Sequence, residues 1–391
     1  MKRMILIISI FFIVSAFIVE SLSAIPAFAR KYKMSCKTCH APYPRLKPYG
    51  YEFAANGFTI PEQETARYFV DTGDDKLSLI RDFPFAIRMD GFIQYNNSKS
   101  EVTDFSAPYN IKLLSGGSLA KNISYYFYFF FSERGKIVGL EDAFLMFTNI
   151  FKSGITLSVG QFQVSDPLFK RELRLTYEDY HIYKAAAGGS VVDLTYDRGI
   201  MFNYAIPKGP DLVLEILNGT GIEEANIFKN FDNDKYKNVF GRISQGIGDI
   251  VRVGAFGYLG KEAPDGIVNK IRMVGGDATV TFSDSMELNF QYMERNDDNP
   301  YFSASSPLEI RTRGGFAELV INPGGSDALL YGVGLFNWVD SEEDTLDYQS
   351  VAAHIGYLIR RNVRLMGEFN YIFKGPYDKH ARVILGLIAA F

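Results

Sequence analysis

From Phe83 to the terminal Phe391 the chain repeats one pattern: runs of about 8–15 residues with apolar side chains at every second position, broken by turn residues. Period two marks a strand whose two faces meet different surroundings. The runs fall near 83–97, 108–116, 121–132, 137–149, 154–163, 191–206, 211–219 and 236–246. They continue near 250–259, 268–283, 286–295, 309–322, 326–338, 347–359, 362–374 and 379–391. That makes about sixteen strands, an even number, with lengths suited to crossing a bilayer at a tilt. An open sheet of that size would expose two long edges, whereas closure pairs every backbone group, as lipid demands. The expected fold class is all-β: an antiparallel transmembrane β-barrel of about sixteen strands over residues 82–391.

The connections sharpen this expectation. Those at 117–120, 150–153, 207–210, 247–249, 283–285, 323–325 and 360–361 are short. Those at 164–190, 220–235, 296–308 and 340–346 are longer and alternate with them. Short periplasmic turns and long external loops are the asymmetry of outer-membrane barrels. On the last run Val383, Leu385, Leu387, Ala389 and Phe391 share one face, while His380, Arg382 and Gly386 take the other. A terminal aromatic on such a strand resembles the insertion signal of bacterial outer-membrane barrels. With two Cys, a net charge of -4 and no basic tail, the composition excludes a disulfide scaffold and makes nucleic acid an unexpected partner.

Ahead of the barrel, Met1-Lys2-Arg3 precedes an apolar run from Met4 to Val19, then the small residues Ser21, Ser23, Ala24 and Ala27-Phe28-Ala29. This reads as an export signal over 1–29, cleaved after Ala24 or Ala29. Residues 30–81 then form a short segment ending in an acidic linker, Asp71-Thr72-Gly73-Asp74-Asp75.

Both cysteines lie in Cys36-Lys37-Thr38-Cys39-His40. A C-x-x-C-H run is the attachment site of c-type haem: two thioethers to the vinyl groups, with the next residue, His40, delivered to the iron as proximal ligand. A redox disulfide would want a thioredoxin-like βαβ context, and a zinc site would want further ligands. One covalent haem c is therefore expected. Its distal ligand is open. His354 shares a strand face with Ser350, His181 lies in a long loop, and Met34 sits two residues before Cys36, where only a sharp reversal would bring it round. For each histidine, a polar surface or lumen residue is the plainer reading. Met89 falls on the expected lipid face. A segment of some fifty residues buries little by itself, so it is expected to pack at or in the barrel lumen.

Ile25-Pro26-Ala27-Phe28-Ala29-Arg30, then Met34-Ser35-Cys36-Lys37-Thr38-Cys39-His40, then Pro44, Leu46 and Tyr49-Gly50, resembles the start of fused monohaem cytochrome–porins of the bacterial outer membrane, whose best-known members are iron oxidases. Tyr49-Gly50-Tyr51 departs from the Phe-Gly-Arg expected there. The resemblance implies haem on Cys36 and Cys39, iron ligation by His40, electrons taken from extracellular Fe(II), and a periplasmic c-type cytochrome as acceptor. Acidic clusters at Glu223-Glu224, Asp232, Asp234, Asp297-Asp298 and Glu342-Glu343-Asp344 would attract divalent cations, or bind them as bridges to lipopolysaccharide. No nucleophile triad, phosphate loop or dinucleotide fingerprint stands out, so no catalytic residue is assigned beyond electron transfer. Alternative functions are outward electron transfer to an extracellular acceptor, or a solute porin with a haem-bearing plug.

Overall fold

The computed structural model describes residues 27–391 except 61, 62, 64–68, 71, 72, 75, 82, 99–101, 138, 265, 377 and 378. Most of the expected export signal and part of the acidic linker lie outside the described residues. Sixteen antiparallel strands close into one barrel in simple sequence order. They are β1 (Phe85–Asn96), β2 (Val102–Ala120), β3 (Ile123–Glu133), β4 (Gly139–Ile150), β5 (Ile155–Gln163), β6 (Tyr196–Ala205), β7 (Asp211–Leu217) and β8 (Asn238–Ile247). The second half holds β9 (Val251–Glu262), β10 (Asn269–Ser283), β11 (Met286–Asp297), β12 (Ile310–Ile321), β13 (Leu330–Ser341), β14 (Tyr348–Arg360), β15 (Val363–Lys374) and β16 (His380–Ala390). Two short helices, α1 (Ala27–Tyr32) and α2 (Pro48–Ala55), precede the barrel.

Every expected run is a strand; the departures are at the ends. β2 begins at Val102, earlier than 108, although Pro108 cannot donate to a ladder. The wall passes it by an irregularity between Asp90 and Phe92, where Gly91 lies against Ala107. β13 starts late because Gly324 and Gly325, both at positive φ, turn the chain through a 3-10 helix first. β6 starts at Tyr196, not 191, because residues 191–195 belong to the stem of the preceding loop: Val164 and Ser165 donate to the carbonyls of Thr195 and Leu194 at 3.0 and 3.1 Å.

Alternation places the faces as expected. On β7, Leu212, Leu214 and Ile216 point outward while Glu215 and Leu217 point in. On β16, Val383, Leu385 and Leu387 are exposed and His380, Ile384 and Ile388 buried. Met89 is exposed on β1, as expected.

One connection departs from the expected plan. Residues 164–195 do not stand outside the barrel; they fold into it. Val164, Tyr180, Ile182, Tyr183, Val192 and Leu194 form one buried cluster with inward apolar residues of β8 to β13, among them Phe240, Phe256, Met293 and Phe316. Tyr180 stacks on Phe316 at 4.1 Å. Arg295 on β11 is wholly buried and pins the loop, donating to the carbonyls of Ala185 and Val192 at 3.0 and 2.5 Å and to Ser190 Oγ at 2.9 Å. The infolded loop thus fills part of the lumen with side chains, and a cavity with many polar lining residues lies beside it.

The outward placement of Leu385, halfway along β16, gives a direct test. Leu385→Arg puts a charge on the apolar outer face and should destabilise the barrel in lipid by about 2–4 kcal/mol. Reversible unfolding in urea with lipid vesicles would measure it; a variant as stable as the parent would rule out a lipid-facing position.

Candidate functional site

The cysteine segment forms a tight unit at the short-turn end of the barrel. Ser35 precedes a 3-10 turn over Cys36–Thr38, and the backbone N–H groups of Cys39 and His40 both donate to the Cys36 carbonyl, at 3.2 and 2.9 Å. The two thiols and the imidazole therefore lie on one turn. Neither cysteine is in a disulfide. Burial pushes both thiols above their ordinary value, with Arg361 partly offsetting this at Cys36 and Lys47 at Cys39. A nucleophilic redox cysteine needs the opposite shift.

His40 is oriented by the loop that follows it. Its Nδ1 lies 2.8 Å from the Pro44 carbonyl and 3.3 Å from that of Arg45, so Nδ1 carries the proton and Nε2 the lone pair. Metal-ligating histidines are typically held this way from behind. Burial lowers the imidazole pKa more than the two carbonyls raise it, which favours the neutral form a ligand must have. Helix α2 packs directly on this turn: a Cβ at Gly50 would come 2.5 Å from the Cys39 carbonyl oxygen, so no larger residue fits there. The free thiols of Cys36 and Cys39 and the rear-held His40 are the residues that could hold the expected c-type haem.

Aromatic and ionic contacts join this unit to the barrel. Phe28 packs against Phe53 and Phe58, and Phe58 stacks on Tyr126 of β3 at 4.8 Å. Lys37 pairs with Asp327 in the β12–β13 turn at 2.7 Å, and Arg45 pairs with Glu287 of β11. Arg364 of β15 donates to the Tyr43 carbonyl at 3.3 Å. Lys37 and Asp327 are largely exposed, so their pair contributes little; the apolar contacts do more of the holding.

Above this unit, a lumen cavity of about 1280 Å³ is lined at one end by Arg88 and Arg364 and at the other by Asn96 and His380. Residues of the infolded loop reach across to the opposite wall. Glu172 pairs with Lys112 of β2 at 2.8 Å, and Glu178 with Arg382 of β16 at 2.5 Å. Glu178 also accepts from Ser350 and Asn370 at 3.1 and 3.2 Å and from Tyr348. Burial alone would raise the Glu178 pKa, but His181, Arg382 and Tyr348 outweigh it and hold the carboxyl at about 2.

The other expected residues are dispersed. His181 lies on the infolded loop, 3.2 Å from Glu178 and stacked on Tyr348. His354 points inward from β14, with Nδ1 2.8 Å from Glu368 and Nε2 3.4 Å from the Tyr331 hydroxyl. Met34 follows α1, its N–H bonded to the Ala29 carbonyl at 3.1 Å. Several loop carboxylates serve the loops themselves: Asp232 pairs with Lys237, Asp298 with Lys270, and Glu343 accepts from the Gly188 N–H at 2.7 Å. Among the described residues no group of three His, Cys, Asp or Glu is placed to hold a free metal ion.

No family model matches the chain, and no curated protein matches it. Solved structures do. An anion-selective porin from Comamonas acidovorans superposes with a TM-score of 0.57 at 12% identity, over 78% of this chain and 98% of its own. Salmonella typhi OmpF, in complex with daunomycin, gives 0.56 at 11% identity over 78% and 97%. The channel DcaP of Acinetobacter baumannii gives 0.54 at 13% identity over 79% and 97%. The barrel is porin-like. At such identities the likeness concerns the fold alone. The barrel here carries a two-helix cysteine unit joined to its turn end and ionic ties across its lumen.

Those ties have a pH signature. Because Glu178 titrates at about 2 rather than 4.5, its anchoring is complete above pH 4.5 and is lost as pH falls toward 2. The difference in single-channel conductance between the parent and Glu178→Gln should therefore be constant from neutral pH to about 5 and vanish in strong acid as the parent's loop loosens. Glu178→Gln should show the loosened behaviour already at neutral pH, and a parent protein stepping near pH 4.5 would contradict the assignment.

Proposed function

We propose that the chain is an outer-membrane channel whose periplasmic mouth holds a plug bearing one covalently attached haem c. The observation that carries this reading is that the Cys36–His40 turn belongs to a unit tied, through Phe58, Arg45 and Tyr43, to the inward-facing residues Tyr126, Glu287 and Arg364. The porin-like fold and the polar-lined cavity of the lumen support passage of small solutes from the loop end down to that unit. Phe28, packed against Phe53 and Phe58, favours export cleavage after Ala24, since a cut after Ala29 would remove it.

Held by Cys36 and Cys39 and ligated by His40, the haem would supply a one-electron carrier. Pro44 and Arg45 fix the His40 ring, Gly50 lets α2 close over the turn, and Lys37 and Arg45 fasten the unit to the barrel. The oriented imidazole favours a second reading, because a purely steric plug needs no histidine held from behind. In that reading the chain is an electron conduit, taking electrons from extracellular Fe(II) and passing them to a periplasmic c-type cytochrome. A single carrier at the turn end restricts the donor to something soluble that enters the lumen; a hydrated Fe(II) ion qualifies and a mineral surface does not. Outward transfer would use the same path with a soluble external acceptor.

Liposomes with a reducible dye sealed inside separate these readings. Both the parent and Cys39→Ala should admit small sugars. If the protein is a conduit, external Fe(II) should reduce the dye through the parent at least about tenfold faster than through Cys39→Ala, which lacks a thioether. Equal rates would mean that the metal ion merely crosses the channel, leaving the plug reading. Protein without covalent haem would end both.

A further inference from the structure

The lumen wall holds a buried cation that the fold does not neutralise. Arg364 on β15 is 3% exposed, yet among the described residues no carboxylate lies within ion-pair distance of it. Its Nη1 donates to the Tyr331 hydroxyl at 2.8 Å and to the Tyr43 carbonyl at 3.3 Å, both neutral acceptors, and its Nε is buried without any partner. The nearby acids are committed elsewhere. Asp90 is gripped by Nε and Nη2 of Arg88, at 2.8 and 2.9 Å. Glu368 takes His354 at 2.8 Å and the N–H groups of Tyr177 and Glu178 at 2.6 and 2.9 Å. A guanidinium that is almost wholly buried and meets only neutral acceptors is costly unless an anion joins it.

Its position suggests which anion. Arg364 stands at the boundary between the two parts of the molecule: it touches the loop that orients His40, and it lines the turn end of the lumen cavity beside Arg88. The planar fork of arginine suits a carboxylate, which can take two parallel N–H bonds.

We propose that Arg364 is a carboxylate-binding residue at the junction of the haem unit and the lumen. Two sources share this chemistry: a propionate of the haem held at Cys36 and Cys39, or a free carboxylate solute that has come down the lumen. The first source rests on the haem reading above; the second does not.

Arg364→Gln keeps a donor but removes the charge, and Arg364→Lys keeps the charge but loses the fork. Each would be purified as closed barrel, confirmed by heat-modifiable gel mobility, and compared with the parent by haem redox titration and by succinate block of single-channel current. Removing a positive charge beside the haem disfavours its reduction. With a propionate at Arg364, Arg364→Gln should lower the midpoint potential by a shift equal to at least about a threefold change in the electron-exchange constant, with Arg364→Lys intermediate. Succinate would then leave the parent's current unchanged. With a solute carboxylate, succinate blocks the parent saturably and Arg364→Gln escapes the block, whatever the potential does. A parent insensitive to succinate, together with a potential unmoved in both variants, overturns the assignment. Protein lacking covalent haem would instead remove the haem reading and leave the succinate arm to decide.

Discussion

Closure of the sheet is the contact on which the other features depend. β1 and β16 pair in register from Arg88 opposite Ala390 to Asn96 opposite Arg382, and Ile87 and Phe391 exchange both backbone bonds beyond that ladder. Without this seam two edges of unpaired donors and acceptors would face lipid, where nothing could satisfy them. The seam also fixes the circumference. A sixteen-strand ring is wide enough that its own inward side chains cannot fill it, so something else must occupy or wet the interior.

One piece of the same chain occupies part of that interior and another contacts its turn end. The loop between β5 and β6 covers the apolar inner faces of β8 to β13, and its acidic edge is drawn across the remaining space by Lys112 and Arg382. The unit built from α1, α2 and the Cys36–His40 turn meets the barrel at the turn end. Between them lies a path walled by charges and tyrosines. Buried ion pairs contribute little net stability, but breaking one leaves an uncompensated charge, so the cross-lumen ties define the shape of the path more than they strengthen the barrel.

Strand number, strand polarity and the lipid face were legible because period-two alternation is local: Leu212, Leu214 and Ile216 declare an outer face by themselves. The cysteine turn was legible because its three functional residues are contiguous. The infolding of 164–195 was not, since an inward Phe240 or Phe316 gives the same alternating signal whether it faces water or a loop from elsewhere in the chain. Pro108 misled by its chemistry, the missing donor being accommodated at an irregularity that only the partner strand reveals. Arg364, Tyr331, His354 and Glu368 come from three strands, and no spacing in the sequence links them.

The order of contacts along the chain bears on how the molecule is put together. The cysteine unit is synthesised before the barrel strands, yet its ionic and hydrogen-bonded partners Glu287, Asp327 and Arg364 lie on or beside β11, β12 and β15. Arg295, which pins the infolded loop, is likewise on β11, far downstream of the loop itself. Neither piece has its seat until most of the wall exists. The docked position of the cysteine unit is therefore available only to a nearly finished barrel: a segment made before the wall is seated after it.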